Sequence, residues 1–265
     1  MKIIVLGRGY LGKEFERHGY EVWGRDKFTY NINKESVDAF EFSSELYNCD
    51  IIINCIAKSN TRWCEANFDE ALAVNGILPK KLSNFCDISR KKFVHISTGC
   101  LYDNAYKINK ETDFTAAHCN YTVTKWVGEQ GCNKEKDLIL RPRLLFDSTP
   151  CKNNFLYRLL NFNSCVINRQ DSLTCTTTLV ESIIALLKNK QTGIFNVANK
   201  GNASMWQIAK WLDSKKEILD TSIEQVREDQ GLYLVNNTMD LTKLKKFYNP
   251  KSLEICIKEC YNNLK

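Results

Sequence analysis

Tyr121 and Lys125 stand four residues apart in the stretch "YTVTK". On a helix that spacing puts a phenol and an ammonium on one face, one turn apart. A phenol alone has a pKa of about 10 and is a poor acid–base group at neutral pH. A neighbouring ammonium favours the phenolate, and the pair can then pass a proton to or from a substrate oxygen. Upstream, the apolar run "KKFVHIS" (91–97) ends in Thr98, Gly99 and Cys100. Thr98 can donate a hydrogen bond to that same oxygen. Cys100 is either a small buried residue or a catalyst, and in the latter case the thiolate and not the thiol is the reactive form.

The stretch "GRGYLG" places Gly7, Gly9 and Gly12 in the pattern GxGxxG, directly after the apolar "KIIVL". Glycine serves there for a tight turn, for close approach of a pyrophosphate and for helix–strand packing. The helix that follows offers free N–H groups and the positive end of its dipole. This context predicts a dinucleotide site lined by Gly7, Arg8, Gly9, Tyr10, Leu11 and Gly12. The end of the second strand sorts the two nicotinamide dinucleotides, an acid holding a ribose 2′-hydroxyl and an Arg accommodating a 2′-phosphate. In "VWGRDK" Arg25 comes first and Asp26 follows, which favours NADPH, with NADH as the alternative.

The elements that must carry these residues alternate. "KIIVLG" (2–7), "YEVWG" (20–24), "CDIIINCIA" (49–57), "KKFVHIS" (91–97) and "DLILRPR" (137–143) read as strands. Helices are predicted over 10–18, over 65–90 with Pro79 bending or dividing it, and over 120–132. Buried apolar strands between amphipathic helices imply an α/β fold, a Rossmann-like doubly wound parallel sheet. After residue 145 the rhythm loosens, with helices predicted over 153–162, 177–190, 204–216 and 242–265 and a strand over 192–199. The expected organisation is a dinucleotide-binding domain over 1–145 and a smaller substrate-binding part over 146–265, the 192–199 strand returning to the main sheet.

The totals bound the function classes. The chain has 265 residues, 43% hydrophobic and 26% charged, with a net charge of +6. Its lysines are dispersed, whereas nucleic-acid binding needs a clustered basic stripe. The mild positive field suits an anionic small molecule. No run approaches the ~18 apolar residues of a membrane span. "MKIIVLGRGYLG" breaks into glycines too soon for a signal peptide, so a cytoplasmic address is expected. The 12 cysteines form no CxxC, and no tight Cys/His cluster suggests a metal site. Reduced, mostly buried thiols are the expectation. His18 and His118 read as surface residues, His95 as a core strand residue, and Trp63 and Trp206 as packing.

The glycine turn, Thr98, Tyr121 and Lys125 together resemble the extended branch of the short-chain dehydrogenase/reductase superfamily, whose members modify nucleotide sugars. "NCIA" (54–57) looks like that branch's strand end beside the cofactor, which implies contacts from Cys55, Ile56 and Ala57, and from Lys125 as well. "VNG" (74–76) and "GIFNVAN" followed by "SMWQIAKWL" look like further family segments. The branch usually has GxxGxxG, and here Leu6 takes the first glycine slot. Sugar dehydratases of the branch carry Thr-Asp-Glu where this chain has Thr98-Gly99-Cys100, which argues against dehydration. The likeness runs to the nucleotide-rhamnose synthase epimerase-reductases and the dTDP-4-dehydrorhamnose reductases, through "RWCE" (62–65), "TGCLY" (98–102), "LRPR" (140–143) and "NNFLYR" (153–158).

That resemblance implies reduction at C4 of a 4-keto-6-deoxy-hexose nucleotide. Thr98, Tyr121 and Lys125 would be the catalytic set. Cys100 would be the base of a preceding C3/C5 epimerisation. Epimerisation needs a second acid, a Lys or His in these families. Arg158 stands in its place and does not readily release a proton, so the reductase reading is the stronger one. Arg143, Lys152, Asn154 and Arg158 are the expected contacts to the nucleotide-diphosphate sugar, and a homodimer is the expected assembly. A 4-epimerase that recycles NAD and a non-catalytic NADP-binding redox sensor remain as alternatives. Retention of the Tyr/Lys pair weighs against the sensor.

Overall fold

Isoleucine and valine, stiff at χ1 and suited to a pleated surface, build the central sheet. A computed structural model describes residues 1–28, 44–102, 107–161, 165–167, 170–219 and 237–264. The six sheet strands are β1 (Ile3–Leu6), β2 (Glu21–Trp23), β3 (Ile51–Asn54), β4 (Lys92–Ile96), β6 (Leu138–Pro142) and β11 (Gly193–Val197). They lie in the order β11-β6-β4-β3-β1-β2. The pairs β1–β2, β1–β3, β3–β4 and β4–β6 are parallel. The order reverses between β1 and β3, and at such a switch point the carboxyl ends of the strands leave a crevice for a ligand.

Helix α1 (Tyr10–Arg17) follows β1, and α5 (Asn120–Gln130) precedes β6. Between β3 and β4 the helix expected over 65–90 is three helices. These are α2 (Thr61–Ala66), α3 (Phe68–Leu72) and α4 (Leu78–Ile88), with a wide π-type turn over Ala73–Ile77. Asn60 caps α2, its Oδ1 accepting from the Trp63 N–H at 2.9 Å. Pro79 sits in the first turn of α4, where its missing N–H costs nothing. The widening directly before it makes room for the ring.

The chain forms two compact units. One comprises 1–98, 117–140 and 191–195, and the other 99–116, 141–190 and 196–265. The division does not fall at a single point near 145, because the chain leaves the first unit after Thr98 and again after Leu140. The core of the first unit joins Ile4, Leu6, Ile52, Phe93 and Ile139 of the sheet to Leu78, Leu82 and Phe85 of α4. The second unit contains α6 (Phe155–Asn161), α7 (Thr176–Lys188), α8 (Met205–Trp211) and α9 (Leu253–Leu264). Phe146, Phe155, Leu156, Ile208, Leu253 and Ile257 lie in its core.

Short two-stranded ladders complete the second unit. They pair β5 (Ile108–Asn109) with β14 (Thr238–Met239), β7 (Leu145–Phe146) with β10 (Thr174–Cys175), β8 (Cys165–Ile167) with β13 (Glu217–Leu219), and β9 (Gln170–Asp171) with β12 (Ala203–Ser204). The helix expected over 242–265 is one turn at Leu244–Lys246 and then α9. Pro250 separates them, since it lacks a donor and restricts Asn249 before it. Among the described residues no helix is long and apolar enough to cross a membrane.

Candidate active site

In the first unit the glycine turn divides its labour. Gly7 has φ +106°, and a Cβ there would meet the Ile56 nitrogen at 2.9 Å, so the turn passes close over the end of β3. Its N–H donates to Trp23 O at 2.8 Å, and the Cys55 N–H donates to Leu6 O at 2.8 Å. A Cβ on Gly12 would fall 2.0 Å from Gly7 O, which is the helix–turn contact glycine permits. A Cβ on Gly9 would meet nothing within 4 Å. Gly9 begins α1 without a side-chain cap and with open room beside it. These residues fit a dinucleotide pyrophosphate. Tyr10 and Leu11 open α1. Arg8 is ion-paired with Glu16 at 2.5 Å, and Ile56 N donates to Asn54 Oδ1 at 3.1 Å. Arg25 is exposed in the turn after β2, and Ala57 is exposed beyond β3.

Helix α5 is docked tightly. A Cβ on Gly128 would lie 2.1 Å from Asn75 O, and one on Gly76 would lie 3.1 Å from a Val127 methyl. The buried Asn75 locks the loop after β3 to this helix. Its Oδ1 accepts from Lys58 N at 2.8 Å, and its Nδ2 donates to Lys58 O at 2.9 Å and to Thr124 Oγ1 at 3.1 Å. So docked, α5 carries Tyr121, half-buried in its first turn, and Lys125, 2% exposed. The Lys125 ammonium donates to Ile96 O, the last residue of β4, at 2.6 Å. Burial lowers its pKa to about 8, with Cys132, Glu129 and Cys55 acting in the opposite direction. Thr98, 5% exposed, is two residues past that anchor. His95 is fully buried, and burial followed by the Lys125 charge holds its pKa well below the ordinary value.

In the second unit Cys100 lies in a single 3-10 turn, Gly99–Leu101, partly exposed. The Arg143 Nη1 donates to its sulfur at 2.7 Å. Arg143 is itself buried and ion-paired through Nη2 to Asp171 Oδ1 at 3.0 Å. Burial acts against its charge, but Asp171 and then Cys100 outweigh it, so its pKa is raised. Asn237 completes the cluster, its N–H donating to Asp171 Oδ1 at 3.2 Å and its Nδ2 to Gly99 O. Asn154 is fully buried. Its Nδ2 donates to Asp147 O at 2.7 Å and to Thr149 O at 2.8 Å, and its Oδ1 accepts from Leu156 N at 3.0 Å. It therefore closes the 147–156 loop. Lys152 is exposed on that loop, and Arg158 is exposed on α6.

Sequence reasoning left out three polar partners. Glu129 accepts from Ser97 Oγ at 2.7 Å, and its only signal was its place one turn beyond Lys125. Asp171 and Asn237 had no signal, because their contacts form between distant stretches. Trp63 and Trp206 each carry a lysine ammonium, Lys58 and Lys210, at 4.1 Å from the ring.

Known proteins resemble this chain in sequence and in fold. A family model described as the RmlD substrate binding domain matches residues 1–233. A bifunctional dTDP-4-dehydrorhamnose 3,5-epimerase/dTDP-4-dehydrorhamnose reductase of Arabidopsis thaliana is 28% identical over 207 residues, 71% of this chain and 67% of that protein. A trifunctional Arabidopsis thaliana UDP-glucose 4,6-dehydratase/UDP-4-keto-6-deoxy-D-glucose 3,5-epimerase/UDP-4-keto-L-rhamnose-reductase is 25% identical over 96% of this chain, which spans 41% of that protein's length. The crystal structure of dTDP-4-dehydrorhamnose reductase from Bacillus anthracis in complex with NADP superposes with a TM-score of 0.80 at 20% identity, covering 100% of this chain and 99% of the other. A parallel sheet with its order reversed at the glycine turn, an α5 bearing Tyr121 and Lys125, and a family match over most of the length lead to one conclusion: the chain belongs to the RmlD substrate-binding family.

Proposed function

We propose that this chain is an NADPH-dependent reductase acting at C4 of a 4-keto-6-deoxy-hexose nucleotide, with C3/C5 epimerisation ahead of the reduction. The carrying observation is the Lys125 ammonium anchored on Ile96 O at 2.6 Å. That bond ties the helix bearing Tyr121 to the end of β4, two residues before Thr98. A nicotinamide dinucleotide, when bound, supplies the hydride. Tyr121 delivers the proton to O4, Thr98 donates a hydrogen bond to the same oxygen, and the Lys125 charge favours the phenolate left behind. The open space at Gly9 suits the pyrophosphate and the exposed Arg25 suits a 2′-phosphate. A structural neighbour holding NADP supports that cofactor.

For epimerisation the Cys100 sulfur removes a proton α to the ketone. Thr98 and Tyr121 stabilise the enolate through its oxygen. The guanidinium of Arg143 sets positive charge beside the sulfur. The two activities in the plant relative's name support this reading. Arg158 makes a poor second acid, so reduction is the better supported of the two activities. Lys152 and Arg158 offer exposed charge to the diphosphate, and Asn154 acts through the loop it closes.

An incubation in D₂O tests the proposal, with NADPH and the UDP, dTDP and GDP forms of 4-keto-6-deoxyglucose, read by product mass and proton NMR. Reduced product carrying deuterium at C3 and C5 is the expected result. Reduced product without carbon-bound deuterium makes the chain a simple 4-ketoreductase. No product with any nucleotide overturns the reading.

A further inference from the structure

Glu129 is completely buried, 0% exposed, one helical turn beyond Lys125 on α5. A buried carboxylate is costly unless a charge and hydrogen bonds compensate it. Ser97 Oγ supplies one hydrogen bond at 2.7 Å. The Lys125 ammonium stands one turn away on the same helical face, and this carboxylate acts electrostatically to favour its charge. The other titratable groups facing Lys125 do not supply a counter-charge at neutral pH. Burial pushes the thiols of Cys55, beyond β3, and Cys132, beyond α5, well above their ordinary range. His95, on β4, is held neutral by burial and by Lys125 itself. Tyr121, on α5, is the proton donor already assigned.

The same pair of side chains grips consecutive residues of the strand end. Lys125 holds the Ile96 carbonyl and Glu129 holds the Ser97 hydroxyl, and Thr98 is the next residue along. We propose that Glu129 is a positioning residue for the reduction: it supplies the counter-charge to Lys125 and, through Ser97, fixes the strand end that presents Thr98. This rests on the reading in which Tyr121 and Lys125 serve the reduction.

Two measurements test it. The first is thermal unfolding of the free protein as Lys125→Met, Glu129→Gln and the double variant. Lys125→Met strands a buried carboxylate, so adding Glu129→Gln is expected to recover most of the lost Tm. A double variant no more stable than Lys125→Met overturns the counter-charge, even where Glu129→Gln alone fails to fold. The second is the pH profile of kcat/KM for reduction. The ammonium is lost as pH rises through its pKa of about 8. Removing the counter-charge in Glu129→Gln is expected to move the alkaline limb about one unit lower. Ser97→Ala is expected to lower kcat and leave the limb in place. An unmoved limb in Glu129→Gln overturns the positioning role. Full activity in Tyr121→Phe would instead remove the catalytic reading and leave the unfolding cycle intact, so the two failures are distinguishable.

Discussion

Lys125 shows how burial sets chemistry at a single residue. Its pKa of about 8 leaves it charged at neutral pH and neutral in mild alkali. The reduction rate is therefore expected to decline above about pH 8, measured as kcat/KM for NADPH oxidation. Tyr121→Phe keeps the ring and removes the acid, and a loss of roughly 10³-fold or more is expected. A near-normal rate would remove Tyr121 from the mechanism. Cys100 is tested by separating the two activities. Cys100→Ser should lose deuterium incorporation at C3 and C5 and still reduce a substrate that is already epimerised. If that reduction is lost as well, the cysteine is structural. Thr98, Tyr121 and Lys125 were legible as types at a spacing. The Arg143–Cys100 contact was not, since 43 residues separate the pair and the family resemblance assigned Arg143 to the diphosphate sugar instead.

At the scale of elements, two glycines have opposite roles, and substitution separates them. A methyl at Gly128 must displace the Asn75 carbonyl, so Gly128→Ala should destabilise by about 1–3 kcal/mol and lower kcat through the shifted α5. Gly9→Ala meets open space and should leave Tm within about 2 °C, as for a benign surface change. NADPH binding, followed by fluorescence titration, should nonetheless weaken about tenfold, because the methyl occupies the approach of the pyrophosphate. Equal loss of stability in both variants would contradict this division. The spacing of apolar residues over 65–90 revealed helix but not its partition. The periodicity is that of any buried helix, while the π-type turn at Ala73–Ile77 is set by how Pro79 and Asn75 pack.

At the scale of the molecule, Ile88 on α4 is 84% exposed and Trp126 on α5 is 40% exposed. Large apolar side chains left in water on neighbouring helices suit a contact with a second copy. A homodimer is expected by light scattering, and Trp126→Glu should shift it towards monomer without changing the fold. A monomeric wild type would refute that assembly. The two compact units also explain why a boundary near 145 was too simple. The chain visits each unit repeatedly, and composition along a line does not record such returns.

The sequence by itself determined the sheet strands, the glycine turn and the spacing of Tyr121 from Lys125, because each depends on local chemistry. β-branched runs favour strands, glycines permit φ of +106° at Gly7, and a spacing of four puts two side chains on one helical face. Only the tertiary structure decided what those residues touch. Lys125 reaches Ile96, Glu129 reaches Ser97, Arg143 reaches Cys100, and Asn154 turns inward to its own loop. Those contacts set charge and orientation. They arise from packing between segments far apart along the chain, where desolvation makes every unpaired polar group costly and fixes its partner.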